Sequence, residues 1–418
     1  MRKMRDSGID WIGTIPQDWQ LSKIGSLYTQ RNEKVSDKDY QPLSVTMQGI
    51  LPQLATAAKT DDGDNRKLVR VGDFAINSRS DRRGSCGISP LDGSVSLINI
   101  ILTPRTAMHP GYYNWLFHTT LFADEFYKWG HGIVADLWTT RWQEMKSITV
   151  PVPEYAEQER IAAFLDAECA EIDAVLEKTR ASIEEYKKLK QAVITQAVTK
   201  GIRGDRPMKD SGIEWIGDIP AEWDVIRNVF LYKEKSRLPE ENAVSLSLSQ
   251  VDGLIATDDM KERSLKTSTY DGWKQVRTND LVLNRFKGHL GVLFAANIEG
   301  MVSFHYGVYE PLRQFDSKFF EYLYHSDAYK AILGLKSNGM TIGLQNLSNQ
   351  NFYSVYSLYP PEEEQQEIIQ YLDDKCSSID ALVVQKQEHL TEIENYKKSL
   401  IYEYVTGKKE VKTSVLAD

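Results

Sequence analysis

The sequence predicts an α+β protein built twice: two related α+β units and two long helices that pair as an antiparallel coiled coil, with pseudo-two-fold symmetry. Two observations lead there. The first is an internal repeat. Met4–Trp19 returns as Met208–Trp223 with eleven of sixteen positions identical, reading Asp-Ser-Gly-Ile-(Asp/Glu)-Trp-Ile-Gly-x-Ile-Pro-x-x-Trp in both copies. Farther along the offset settles at 207: Asp73–Asn77 answers to Asp280–Asn284, Tyr112–His118 to Phe319–His325, and Gln158, Ile161, Leu165 and Cys169 to Gln365, Ile368, Leu372 and Cys376. A solenoid repeat spans roughly 20–50 residues, so this much longer period marks a duplicated domain with its connector. The second observation is a pair of segments, 157–199 and 363–406, with no internal Gly or Pro and with apolar residues three and four apart.

Both segments read as helices. Ile161, Leu165, Ile172, Leu176 and Ile183 mark the stripe of the first, and Ile368, Leu372, Ile379, Leu382, Leu390 and Leu400 that of the second. Each opens after proline (Pro153; Pro360-Pro361) with glutamates in the first turn, where the helix dipole favours them, and closes at Gly201 or Gly407. At ~1.5 Å per residue such a helix is a rod of roughly 64 Å. A single apolar stripe needs a partner, and the repeat supplies one. Antiparallel pairing would put one unit at each end. The expected organisation is an α+β unit over 1–153, a helix over 154–200, a second unit over 201–360, a second helix over 361–407 and a tail, 408–418.

Within the units, 69–76 and 276–283 read as strand, tight turn, strand, and Ser96–Leu102 and Val302–Tyr309 as further strands. Tyr112–Lys128 and Phe319–Leu335 have aromatic helical patterning. No βαβ alternation appears, hence α+β.

Composition fits a globular chain of several domains, with 41% hydrophobic residues in 418. Cys86, Cys169 and Cys376 form no CxxC pair, which suits a reducing cytoplasm, and the last two read as small buried hydrophobes. The basic start Met1–Arg5 is followed by no apolar stretch, so no signal peptide is expected, and no apolar run is long enough for a membrane span. The net charge of −9 is unevenly spread. Residues 154–200 and 361–407 carry −3 and −7, whereas 1–153 and 201–360 carry +2 and −2. The balanced units can present a DNA face; the helices cannot easily do so.

No strong catalytic motif is present: no GxGxxG, GxxxxGK[ST], HExxH or GxSxG, and no Asn-Pro-Pro-aromatic motif of adenine methyltransferases. Glu185-Tyr186-Lys187 has nuclease-like spacing but falls mid-helix. His118 and His325 sit in aromatic helices and read as packing residues.

The loop after each repeated strand carries more information. The first runs Asn77-Ser78-Arg79-Ser80-Asp81-Arg82-Arg83-Gly84 and the second Asn284-Arg285-Phe286-Lys287-Gly288-His289. Both are basic and glycine-bounded. Both carry groups that pair with base edges, Arg with guanine and Asn with adenine. Their flanking strands agree while the loops diverge, as two readers of different half-sites require. A solvated charged loop is the plainer alternative. A second divergent pair, Trp138-Thr139-Thr140-Arg141 against Gln345-Asn346-Leu347-Ser348, is a weaker signal. The candidate DNA contacts are Asn77, Ser78, Arg79, Arg82, Arg83 and Arg141 in one copy and Asn284, Arg285, Lys287, His289, Gln345 and Asn346 in the other. Arg285 is the expected base reader, with its planar fork, and Lys287 the phosphate contact.

With these residues in hand, the chain resembles the specificity (S) subunit of a type I restriction–modification system over about 2–407. The repeated openings carry the likeness. So do the helix starts Pro151-Val152-Pro153-Glu154-Tyr155-Ala156-Glu157-Gln158 and Pro360-Pro361-Glu362-Glu363-Glu364-Gln365, the strand–loop segments 73–104 and 280–311, and the helix ends Ala197-Val198-Thr199-Lys200-Gly201 and Tyr404-Val405-Thr406-Gly407. The resemblance implies two target-recognition domains, each reading half of a bipartite DNA duplex, with two modification (methyltransferase) subunits docked on the helices and restriction (helicase–nuclease) subunits beyond. It implies no catalysis and no cofactor in this chain. S-adenosylmethionine, ATP and Mg2+ belong to the partner subunits, and the setting is cytoplasmic. Read from the residues alone, a bidentate DNA-binding adaptor of another defence system, an unrecognised nuclease and a protein–protein scaffold with no DNA role remain open.

Overall fold

The computed structural model describes residues 2–53, 63–132, 138–250, 252–260, 270–337 and 345–411. It divides into two compact units, Met1–Arg180 with Glu388–Asp418, and Ala181–Gln387. The two long helices form where the apolar spacing places them, Tyr155–Lys200 and Glu362–Val405. Each unit holds the start of one helix and the end of the other. Within each unit the helices run antiparallel, since partner numbers rise along one as they fall along the other. In the first unit Phe164 packs on Tyr404 with ring centroids 4.4 Å apart, Lys397 meets Asp173 at 2.6 Å and Arg180 meets Glu394 at 2.5 Å. In the second, Lys386 lies over the Tyr186 ring and Lys190 meets Asp380 at 2.6 Å. These ion pairs are exposed and contribute little. The buried seam residues, Leu165, Leu176 and Leu390 in one unit and Ile183, Leu372 and Ile379 in the other, hold the helices together.

The repeated opening is a structural latch onto the helix start. The Asp6 carboxylate accepts from the Gly8 N–H at 3.0 Å and the Ser7 hydroxyl from the Ile9 N–H at 3.1 Å; Asp210 and Ser211 do the same for Gly212 and Ile213 at 2.9 and 3.1 Å. The final tryptophan of each motif then reaches a helix glutamate. Trp19 Nε1 donates to Glu157 Oε2, and Trp223 Nε1 to Glu364 Oε2, both at 2.9 Å. Arg2 stacks on Trp19 and pairs with Glu157; Arg206 stacks 5.4 Å over Trp223 and meets Glu364 at 2.6 Å. One residue on, Gln158 and Gln365 are buried and donate to the carbonyls of Pro153 and Pro360 at 2.8 Å.

Each unit centres on a four-stranded antiparallel sheet. In the first the order is Cys86–Ile88, Phe74–Asn77, Asn99–Pro104, Tyr28–Arg31. In the second it is Leu293–Ala295, Leu281–Asn284, Tyr306–Pro311, Tyr232–Glu234. The expected strand–turn–strand segments are present, but their strands do not pair with each other. Arg66–Val69 and Lys274–Val276 pair with Gly93–Val95 and Gly300–Val302 instead, so each turn carries the chain from one sheet to the next. A buried aspartate fixes that turn. Asp73 accepts from Arg31 Nε at 2.8 Å and from the Arg70 N–H at 2.9 Å; Asp280 accepts from Arg237 at 2.6 Å and the Arg277 N–H at 2.8 Å. The residue before it is left-handed in both copies, Gly72 at φ 86° and Asn279 at φ 71°.

The two aromatic helices expected over Tyr112–Lys128 and Phe319–Leu335 are each broken in two: Pro110–Phe117 and Thr120–Lys128, Ser317–Tyr324 and Asp327–Lys336. The break falls at a hydroxyl residue that bonds backward, Thr119 to Leu116 O at 2.8 Å and Ser326 to Leu323 O at 2.7 Å. Apolar periodicity runs through the break and hides it. The three cysteines are buried and free; burial pushes the Cys169 thiol up to about 11. Among the described residues no helix is long and apolar enough to cross a membrane.

His325 is a packing residue, with Nε2 at 2.9 Å from Leu293 O and its ring against Phe294. Burial holds its pKa down at about 4, against an ordinary 6.5. The unfolded chain therefore takes up a proton below about pH 6.5 that the folded unit refuses until near 4. Stability should fall through that window by up to about 1.4 kcal/mol per pH unit from this ring. Urea midpoints at pH 7 and 5 should show a smaller acid loss for His325→Phe than for the natural chain; equal losses would refute the assignment.

Candidate nucleic-acid interface

Both loops singled out by sequence leave an inner strand of the four-stranded sheet, so a packed scaffold sets where they point. In the first unit the Asn77 side chain accepts from the Arg79 N–H at 3.0 Å, turning the chain sharply out of the strand. The Ser78 carbonyl accepts from the Thr140 N–H at 3.0 Å, and the Ser80 N–H donates to Trp138 O at 3.1 Å. Thr139 in turn exchanges both backbone bonds with His131 at 3.0 Å. The segment Trp138–Arg141, a weak signal in sequence, is thus zipped along the basic loop.

The second unit repeats this frame. Asn284 Oδ1 accepts from the Phe286 and Lys287 N–H groups at 3.1 and 3.3 Å, and the Arg285 carbonyl accepts from the Leu347 N–H at 2.9 Å. The loop is a short 3-10 stretch, Arg285–Leu290, closed by left-handed Gly291. The matching bonds make Ser78 equivalent to Arg285 and Arg79 equivalent to Phe286.

The candidate contacts separate into two groups. Asn77, Ser78 and Asn284 serve the loop itself, Ser78 donating to Ile98 O at 2.5 Å. Arg79, Arg82 and Arg141 are exposed; among the described residues Arg82 reaches only Asp81, at 3.8 Å, and the Arg79 side chain makes no ion pair. Arg83 pairs with Asp124 and lies 5.9 Å over the Tyr127 ring, which neutralises part of its charge.

In the second loop Arg285 is turned inward. It pairs with Glu234 and donates to Asn349 Oδ1 at 2.8 Å, and Glu234 also takes Lys274 at 2.9 Å. A base-reading Arg285 would have to abandon a carboxylate that Lys274 and the Asn349 side-chain amide also hold. Lys287 is the exposed cation of this loop. Gln345 is half-buried and Asn346 exposed, both beside the loop through the Leu347 bond; the His289 side chain lies outside the described part of the structure.

Sequence reasoning missed two further features. In the first unit a cleft of about 580 Å3 separates the loop residues Arg82 and Arg83 from the hairpin Leu43–Thr46/Gly49–Pro52. Its floor includes the buried Arg66, which donates to Ser94 Oγ and O at 2.9 Å and whose pKa burial lowers. In the second unit Phe286, Phe304 and His305 are exposed together, with Phe286 to His305 ring centroids at 5.5 Å and Phe304 to His305 at 3.9 Å. Among the described residues no cluster of three or more His, Cys, Asp or Glu is placed to hold a metal ion.

No family model matches the chain. Its fold does match solved structures over nearly its whole length. A chain from a structural study of complex assembly and conformational transition in the type I restriction–modification system aligns with TM-score 0.70 at 12% identity, covering 94% of this chain and 99% of that one. The HsdS subunit from Thermoanaerobacter tengcongensis aligns with TM-score 0.51 at 16% identity, covering 94% and 98%. The chain therefore has the fold of type I restriction–modification specificity subunits, in agreement with the resemblance carried by its motifs.

Proposed function

We propose that this chain is the DNA specificity subunit of a type I restriction–modification complex. The α+β regions 1–153 and 201–360 act as two target-recognition domains, each reading one half of a bipartite duplex through its loop. The helices 154–200 and 361–407 space the two readers and offer an acidic surface to two modification subunits. The chain does no chemistry. S-adenosylmethionine serves the modification subunits, and ATP and Mg2+ the restriction subunits, in the cytoplasm. The observation that carries this reading is the loop frame. The same backbone bonds recur in both units, yet the side chains mounted on them differ, with arginines on one and a phenylalanine and a lysine on the other. A constant frame with variable side chains serves recognition of two different sequences.

Methylation mapping of the host genome with and without this gene tests the proposal. One bipartite adenine-methylation motif should vanish with the gene and return when it is restored. Unchanged methylation, in a host whose neighbouring modification gene is expressed, would overturn the assignment.

A further inference from the structure

We infer that the second unit reads its half-site through an apolar contact, the Phe286 ring against the C5-methyl of a thymine, at the loop position where the first unit presents Arg79. This rests on the DNA-reading role proposed above and adds the base class that the second loop selects.

The equivalence of the two positions is geometric. Each lies two residues after the asparagine that ends the strand, and each backbone N–H is held by that asparagine's Oδ1, at 3.0 Å for Arg79 and 3.1 Å for Phe286. The carbonyl just before each is held from the second segment, by Thr140 and by Leu347. The two side chains therefore leave their frames from the same point. Arg79 offers a planar guanidinium, the group that pairs bidentately with guanine in the major groove; a phenyl ring can offer only its face and edge, and the base feature complementary to that is the thymine methyl.

Four observations support a role for the ring beyond packing. Phe286 is 44% exposed although the core of its unit lies directly behind the loop. It is backed by two more exposed rings, His305 and Phe304, in a contiguous aromatic step that a solvated loop does not need. Lys287, the next residue, is exposed and makes no ion pair among the described residues, so a cation stands beside the apolar step where a phosphate would run. The one arginine of this loop is bound to Glu234 and Asn349, whereas the Phe286 ring projects.

The test uses the full chain and duplexes selected by it from a random library in low salt. Half-site two should contain a required thymine. Replacing that thymine with deoxyuridine removes only the methyl group and should weaken binding by the natural chain about three- to five-fold, the scale of one buried carbon. The same replacement should not affect Phe286→Ala, which itself should bind about ten-fold more weakly and lose the preference for thymine at that one position, with half-site one unaltered. Selection of no duplex at all would defeat the DNA-reading role. Selection of a site whose half-site two tolerates deoxyuridine throughout would defeat this inference while leaving that role intact. The deoxyuridine arm uses the natural chain, so it decides the matter even if a variant misfolds.

Discussion

Glu364→Ala should destabilise the second unit by about 2–4 kcal/mol, a large fraction of the stability of a domain this size. Its carboxylate is fully buried and serves two partners: the Trp223 indole N–H at 2.9 Å and the Arg206 guanidinium at 2.6 Å. Truncation leaves a nearly buried guanidinium with only the half-exposed Glu222 carboxylate, at 3.1 Å, as counter-charge, and an indole N–H without an acceptor. Neither can relax easily. Arg206 is wedged over the Trp223 ring, donates to the last helical carbonyl, Lys200 O, at 2.9 Å, and presses against Gly201, where any Cβ would meet it. The paired substitution Arg206→Met with Glu364→Leu removes both charges and should recover most of the loss, because a buried ion pair replaced whole by apolar groups is often neutral. Glu367 is the control: its pair with Arg203 at 2.9 Å is exposed, and Glu367→Ala should cost far less. Urea denaturation followed by hydrogen exchange of peptides from 181–387 measures all three. A loss below about 1 kcal/mol for Glu364→Ala would mean that the latch is not what joins the motif to the helix.

How much of this was legible in the sequence depends on how far each interaction reaches. The long helices were, because 43 residues of uninterrupted spacing leave no competing reading. The turn at Asp73 and Asp280 was also legible as a turn, since a left-handed Gly72 or Asn279 announces it locally. That its strands join different sheets was not, because strand partners are chosen by contacts distant in sequence. The split in each aromatic helix was hidden by apolar periodicity that continues across Thr119 and Ser326. Arg285 looked free for the same reason: its partner Glu234 lies 51 residues away. The latch left a trace that was available and unused. Arg2 and Glu157 recur as Arg206 and Glu364, each at its own copy's offset, and a repeated charged pair flanking a repeated tryptophan is a signal for contact. Counting from Asn77 and Asn284 rather than from the first arginine would likewise have set Arg79 against Phe286.

Exchanging residues 20–150 for the corresponding part of a relative should change one half of the methylated sequence and leave the other half and the spacer as they were. The fold makes this exchange physically economical. The strand that enters the first unit's interior and the strand that leaves it are paired with each other, Gln20 against Val152 and Ser22 against Val150. Both joins therefore fall at neighbouring backbone points on one small sheet, and the graft replaces what lies beyond it. The latch that ties this unit to its helix stays native, because Arg2, Trp19 and Glu157 all lie outside the exchanged segment. The second unit repeats the arrangement with Asp224 against Tyr359 and Ile226 against Ser357, so the reciprocal graft has the same two joins. Each interior also has its own buried satellite cluster, around Val69 and Ile101 in one and Val282 and Val308 in the other, which moves with the graft and keeps its packing. Methylation mapping of a host carrying the chimaera reads out both half-sites and the spacer at once. A change in both halves would show that the two loops do not read separately, and an altered spacer with one half changed would show that the exchanged interior, not the long helices, sets the distance between them.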